Sequence, residues 1–483
     1  MVDGQEAAWA GASRGWTRRQ FVRVGAAGVL AGGAAYAGVR ALGTDRSPSV
    51  ARFRSRPDLT PPVVEVLTGP AEAGGSTGSM FLTPTGGAGQ AGPLVVDGRG
   101  SPVWVNPRPG VLTANLRVQT YHELPVLTWW EGREEAGVSD GEWVVVDQTY
   151  TEVARVRAAN GLATAFDDLV ITPWHTALVL ASAPVAGGRI LESVVQEVDI
   201  GSGAVRFEWH SAQHVGVEES SAPPPATGSH DYFHATSVDL DEEANLVVSA
   251  RNTSAIYRIA NPTGEVLWRL GGTRSDFGMG PGAAFAGQHD AGLPAAGQVA
   301  MFDNAGDPTR SRGLILSVDT PTGSASVRRQ FVHPHGGRAA TGGNLQLLDD
   351  DGVFIGWGSL PYFSEFGPDG RLRFDARFRG GNTTYRAFRL PWTAQPEAPP
   401  HLTVEIGEGG RATVYASWNG ATEVAEWVVL TGRGDTLEPV ASSPRTGFET
   451  AIRLPDVPPY VAVSAVDAAG DVLATSQRVQ LPG

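Results

Sequence analysis

NPTGEVLW, residues 261–268, decides how the rest of the chain is read: an amide turn residue, a Pro-Thr-Gly corner, then a β-branched and aromatic run ending in Trp268. Asn can bond its own backbone at such a corner and Gly takes a positive φ without steric cost, so the segment reads as a tight turn feeding a strand. An acidic or amide turn residue, usually a Gly, and then a strand recur as DGRGSPVW from Asp97, DQTYTEVARV from Asp147, DIGSGAVRFEW from Asp199, DTPTGSASV from Asp319 and PDGRLRF from Pro368. Successive first residues lie 50, 52, 62, 58 and 49 positions apart. A period of about 50 residues leaves room for some four strands per unit, and such a unit cannot bury both faces alone, whereas a closed ring of them can. The expectation is a six-bladed β-propeller, all-β, between residues 51 and 393.

The bulk composition agrees with many short strands. The chain has 483 residues with 62 Gly and 34 Pro, which demands frequent tight turns and leaves little sequence with a period near 3.6. Its net charge of −14 argues against nucleic acid as a partner, because a phosphate backbone needs a basic counter-surface. Any anionic substrate must find local positive charge. With no cysteine, disulfides, thiolate nucleophiles and thiolate metal sites are all excluded, and compartment has to be read from the N-terminus.

That end reads TRRQFVRVGAAGVLAGGAAYA, residues 17–37, with Arg18 and Arg19 paired ahead of a weakly apolar run. It resembles a twin-arginine export signal, and Ala35-Tyr36-Ala37 offers small residues where a signal peptidase reads. Residues 1–50 are therefore expected to be signal and linker, the protein to act outside the cytoplasmic membrane or in the cell envelope, and membrane association to run through this segment if it stays uncleaved. At the other end TAQPEAPP, residues 393–400, is too rich in proline to continue a sheet. Residues 400–483 then alternate apolar and polar, as in a small fibronectin- or immunoglobulin-like β-sandwich, with Trp418 or Trp427 plugging its core. No polar constellation marks this segment, which reads as a spacer or docking module.

The propeller segment carries a set of motifs in a fixed order: FRSRPDLTPP from Phe53, NLRVQTYHELPVLTWWEG from Asn115, DYFHATSVDLDEEANLVVSARNTSAIYRI from Asp231, GEVLWRLGG, FAGQHDA, MFDNAG, GNLQLL, GWG, SEF and YRAFR. Together these resemble the arylsulfotransferase family, bacterial enzymes that use no nucleotide sulfate donor. The resemblance implies transfer of a sulfuryl group from an aryl sulfate ester to a phenolic acceptor through a sulfohistidine, with no cofactor. It implies that His289 is the nucleophile and that His234 and Arg251 are its catalytic companions.

The residue types suit those roles. A neutral imidazole is nucleophilic near pH 7 and its adduct is labile enough to be passed on. A departing phenol, with a pKa of about 10, leaves more readily if His234 gives it a proton. A planar guanidinium, Arg251, can grip two sulfuryl oxygens at once. Thr236 and the Trp129–Trp130 pair are the candidate substrate contacts, the first as a polar donor and the second as a surface on which a phenol could stack.

Two departures from the family pattern bear on activity. The strand motif usually reads His-x-Asn-Ser, whereas His234-Ala235-Thr236-Ser237 replaces an amide with a hydroxyl; and Asp167-Asp168 stand where relatives tend to have a His-Glu pair, with His175 displaced into the following turn. Other constellations read as structural. His333-Pro334-His335 has no third ligand for a metal, DDDG from Asp349 lacks the alternating ligands of a calcium loop, and HATS lacks the context of a nucleophile elbow. No metal site is expected. Two function classes stay open: an exported sulfuryl transferase, or an exported propeller that binds or scaffolds through a degenerate, non-catalytic pocket.

Overall fold

The computed structural model describes residues 48–69, 78–135, 137–433 and 436–481. The paired arginines at 18 and 19 and the Ala35-Tyr36-Ala37 motif lie outside the described residues. The described chain is all-β, with one α-helical turn at Ser211–His214 and a few 3-10 turns. No helix among the described residues is long and apolar enough to cross a membrane.

Six sheets of four or five strands follow one another along the chain, each built on four antiparallel strands, with short parallel additions at His230–Asp231 in the third and Gly278–Met279 in the fifth. The second is typical: Leu112–Tyr121, Leu124–Glu135, Val138–Val146 and Glu152–Val156 pair in sequence order. The third to sixth begin with Ala163–Ile171, Ala235–Leu240, His289–Gly292 and Asn344–Leu347. All six repeated turns join the third strand of a sheet to its fourth. Their chemistry is visible: Asp97 Oδ1 accepts the N–H groups of Arg99 and Ser101 at 2.9 and 2.8 Å, and Asp147 Oδ1 those of Thr149 and Thr151 at 2.8 and 3.0 Å. A carboxylate that satisfies the amides two and four residues on folds the corner locally.

The ends of this region are interlaced. Val64–Thr68 pairs with Leu372–Phe378 as the outer strand of the sixth sheet, while Phe388–Leu390 pairs with Ser79–Leu82 and completes the first. Buried clusters lie between neighbouring sheets. Trp104 and Trp129 share one between the first and second, Trp130, Trp143 and Leu169 one between the second and third, and Trp209 and Tyr257 one between the third and fourth. Trp268 and Met301 belong to the next, Phe302 and Trp357 to the fifth, and Met80 with Phe363 to the last, which joins the sixth sheet to the first.

Beyond residue 400, His401–Ile406, Ala412–Ser417 and Glu449–Leu454 form one sheet, and a second is centred on Glu426–Arg433 and Tyr460–Val466. They share a cluster in which Trp418 and Trp427 are both buried. This unit is tied to the first two sheets and to the segment that precedes them. Asn419 grips the edge residue Val105, accepting its N–H at 2.8 Å and donating to its carbonyl at 3.0 Å; Tyr150 donates to Gly420 O at 2.9 Å; and Phe448 lies against Phe53 with ring centres 4.2 Å apart.

Candidate functional site

The first strands of neighbouring sheets pack against one another, and His289 stands at the start of one of them. The irregular segment before it is pinned by Gln288, a fully buried amide whose Nε2 donates to Ser249 Oγ and to the carbonyls of Ala250 and Ala255. His289 is 2% exposed. Its Nδ1 faces two acceptors, Asn304 Oδ1 at 2.9 Å and Gly287 O at 3.1 Å, and its Nε2 receives the N–H of Gly342 at 3.2 Å. Only the tautomer protonated on Nδ1 satisfies all three contacts, which leaves the lone pair on Nε2. Burial, followed by the charges of Arg251, His234 and Arg386, pulls the pKa down to about 3 against the bond to Asn304, so the ring is neutral at physiological pH.

His234 immediately precedes the first strand of the fourth sheet and has a left-handed φ of 53°, an uncommon conformation for a residue with a side chain. Its Nδ1 is bonded to the Asp231 carboxylate. Burial opposes the charged form, but Asp231 and then Asp167 outweigh it and hold the imidazolium above its ordinary range. Two histidines in one locality are thus driven apart, one neutral and one prone to carry a proton. Arg251, which perturbs both rings, donates weakly to Ala340 O at 3.4 Å, and no carboxylate pairs with it among the described residues.

Tyr385 completes the group. Its ring stands edge-on to His289 with centres 5.9 Å apart, and its hydroxyl donates to Asp167 Oδ1 at 2.7 Å. Burial raises the Asp167 pKa and, together with that carboxylate, lifts the phenol well above its usual value. Asp168 points elsewhere. With Asp290 it flanks the fully buried Arg386, whose Nη1 lies 3.2 and 3.1 Å from the two carboxylates and whose Nη2 donates to Thr236 O at 2.9 Å. The charge of Asp168 is also met by Arg117 at 3.0 Å. Further along the same strands lies a cavity of about 370 Å³ lined by Arg117, Gln119, Asp168, Ser237, Asp239 and Asp290, in which burial raises the Asp239 pKa to about 6. It includes neither histidine.

Of the residues singled out from sequence, the structure gathers His289, His234 and Arg251 into one group. Thr236 is adjacent but fully buried, and its hydroxyl donates to Gln288 O at 3.0 Å, with Ser249 Oγ at 3.1 Å as an alternative partner, so it braces the segment that carries His289. Trp129 and Trp130 are not brought to the group. Neighbours on a strand face opposite ways, and these two enter separate inter-sheet clusters, Trp129 edge-on to Trp104 and Trp130 donating to Thr164 O at 3.2 Å. His333 is spent on packing, with Nε2 on Asp375 at 3.2 Å and its ring against Trp357 and Tyr362. Among the described residues no cluster of three or more His, Asp or Glu is arranged to hold a metal. Asn304, Gly342, Tyr385, Arg386 and Asp231 were not singled out from sequence; MFDNAG contains Asn304, YRAFR contains Tyr385 and Arg386, and DYFHATS begins at Asp231, without anything in their composition to distinguish an orienting residue from a packing one.

The family described as arylsulfotransferase (ASST) matches residues 117–379. Comparison with curated proteins finds no match. Among solved structures, a protein of unknown function from Bacteroides caccae is 14% identical, with 65% of this chain covered, 100% of that one and a TM-score of 0.42. A protein from Lactobacillus plantarum is 14% identical (84% and 96% covered, TM-score 0.38), and a catalytically inactive virginiamycin B lyase from Staphylococcus aureus with quinupristin is 9% identical (74% and 96%, TM-score 0.34).

Proposed function

This chain belongs to the arylsulfotransferase family, and from that membership we propose that it is an exported enzyme moving a sulfuryl group from an aryl sulfate ester to a phenol through a covalent adduct on His289. The observation that carries the reading is the pairing of a buried histidine, held neutral with its lone pair on Nε2, with an Arg251 guanidinium that no described carboxylate neutralises. His289 Nε2 attacks sulfur and the bond from sulfur to the donor's phenolic oxygen breaks. The departing oxygen takes the His234 proton, whose retention Asp231 favours. In the return step the acceptor phenol gives its proton to His234 as its oxygen attacks sulfur, and the sulfur–nitrogen bond breaks. Arg251 offsets the charge on the sulfuryl oxygens throughout, as cationic clamps do in phosphoryl transfer.

The same reading takes the six successive sheets as blades of one closed propeller, supported by a shared cluster between the sixth and first. The two sheets after residue 400 form a β-sandwich in this reading, and the paired arginines act as a twin-arginine signal that delivers the folded protein to the cell envelope or beyond. The test is incubation with nitrophenyl sulfate and a phenol, read by intact mass and phenol release. The wild type should gain one sulfuryl mass, His289→Ala none, and His234→Ala should transfer from nitrophenyl sulfate far better than from sulfates of less acidic phenols. Transfer by His289→Ala would move the nucleophile elsewhere. Absence of adduct and turnover with all donors would leave the binding-protein alternative.

A further inference from the structure

Asn304 touches both ends of the His289 device. Its Oδ1 meets the Nδ1–H of His289 at 2.9 Å, while its Nδ2 donates to Ala339 O at 3.2 Å and to Gly342 O at 2.9 Å. Two carbonyls on one side and an imidazole N–H on the other fix which way the amide lies, since the reversed amide would face its oxygen to two acceptors. Asn304 is itself buried, and its backbone carbonyl accepts from Ser311 Oγ at 2.9 Å.

The loop it holds has little room to move. Gly342 has φ +67°, and a Cβ there would lie 2.6 Å from Tyr385 O; one on Gly343, with φ +101°, would lie 2.3 Å from the Phe302 ring. Gly343 N–H also donates to Tyr385 O at 2.8 Å. The chain is thereby forced to present the Gly342 N–H to Nε2, the atom the other contacts leave unprotonated.

Resting on the sulfuryl-transfer reading, we propose that Asn304 is a positioning residue that selects Nε2 of His289 as the sulfuryl-accepting atom, and that the Gly342 N–H it holds in place passes from the Nε2 lone pair to a sulfuryl oxygen as the N–S bond forms. The lone pair becomes the new bond, the electrons of the breaking S–O bond leave with the phenolic oxygen, and Nδ1 keeps its proton bonded to Asn304. The N–H thus changes acceptor without losing one, caps the nucleophile at rest and steadies the charged group in transfer.

Two-bond proton–nitrogen correlation on the full chain labelled with ¹⁵N-histidine reads the tautomer directly. The wild type should show His289 neutral and protonated on Nδ1 at pH 7; Asn304→Ala, which leaves Nδ1 only the longer contact to Gly287 O and removes the tie to Gly342, should give mixed tautomers, and Asn304→Asp, which keeps the acceptor at Nδ1 but not the bonds to Ala339 O and Gly342 O, should restore Nδ1–H. With nitrophenyl sulfate, Asn304→Ala should lose about 100-fold in kcat with KM changed less than about threefold, as misplacement of a reacting group does, and Asn304→Asp should recover part of it. A wild-type His289 protonated on Nε2 overturns the proposal without any variant. So does an Asn304→Ala protein with unchanged tautomer, or one whose loss lies wholly in KM. The spectrum judges Asn304 whether or not the mass test detects transfer, so failure of this inference and failure of the transferase reading are separable.

Discussion

Acidification should cost the folded protein about 3 kcal/mol through His289 alone between neutral pH and about pH 4.5, and His289→Gln should abolish that loss. In the unfolded chain the imidazole takes up a proton near its ordinary pKa of about 6.5; in the fold burial and neighbouring charge pull that value down to about 3. Above about 6.5 neither state is charged and His289 contributes nothing to the pH dependence. Between the two values the unfolded chain binds the proton and the folded one refuses it, so stability falls with pH until the folded group also titrates. At about pH 4.5 that is some two pH units of preference for the unfolded state, at roughly 1.4 kcal/mol each. His234, with its raised pKa, acts in the opposite sense, as do the carboxyls of Asp167 and Asp290, whose values burial raises. Their contributions largely cancel when two proteins are compared. Urea unfolding of wild type and His289→Gln at about pH 7.5 and 4.5 yields the double difference, from which the bonds to Asn304 and Gly287, lost at both pH values, also drop out. Equal losses in the two proteins would refute the neutral, buried imidazole on which the nucleophile assignment rests.

Arg386→Met should lower stability by about 3–5 kcal/mol, because Asp168 and Asp290 lose the guanidinium buried between them while Arg117 forms a close ion pair with the first alone; a loss below about 1 kcal/mol in denaturant melts would mean that this guanidinium does not hold the centre. Asn419→Ala strips both hydrogen bonds from the Val105 edge and should cost about 2 kcal/mol while speeding limited proteolysis near residues 393–400; unchanged melting and cleavage would make the docking incidental.

Much of the backbone was readable because its signals are local. A turn such as Asp147-Gln148-Thr149 closes through its own carboxylate, so no distant residue is needed to foresee it. His289, His234 and Arg251 were singled out through ordered motifs, and the charges of the latter two act on the His289 ring. Trp129 and Trp130 misled because a strand's alternation says that they face opposite ways but not whether either face borders a channel or another sheet. Asn304 and Gly342 were opaque for a related reason: they act on His289 across separations of 15 and 53 residues, and nothing in their local sequence encodes where that imidazole will stand. The proline-rich break before residue 401 was legible as a boundary, whereas the grip of Asn419 on Val105, 314 residues away, was not.

The pairing of Met80 with Arg389 has a consequence for the ribosome-bound chain. Ser79–Leu82 emerges early and must wait for a neighbour made roughly 300 residues later, with the face that will share a cluster with Phe363 bare in the meantime. Every nascent or truncated form ending before Phe388 therefore carries an unmatched, apolar sheet margin, the kind of edge that recruits strands from other chains. A holding chaperone has its clearest target there, and a premature stop near the end of this region should yield aggregates rather than a slightly shorter protein.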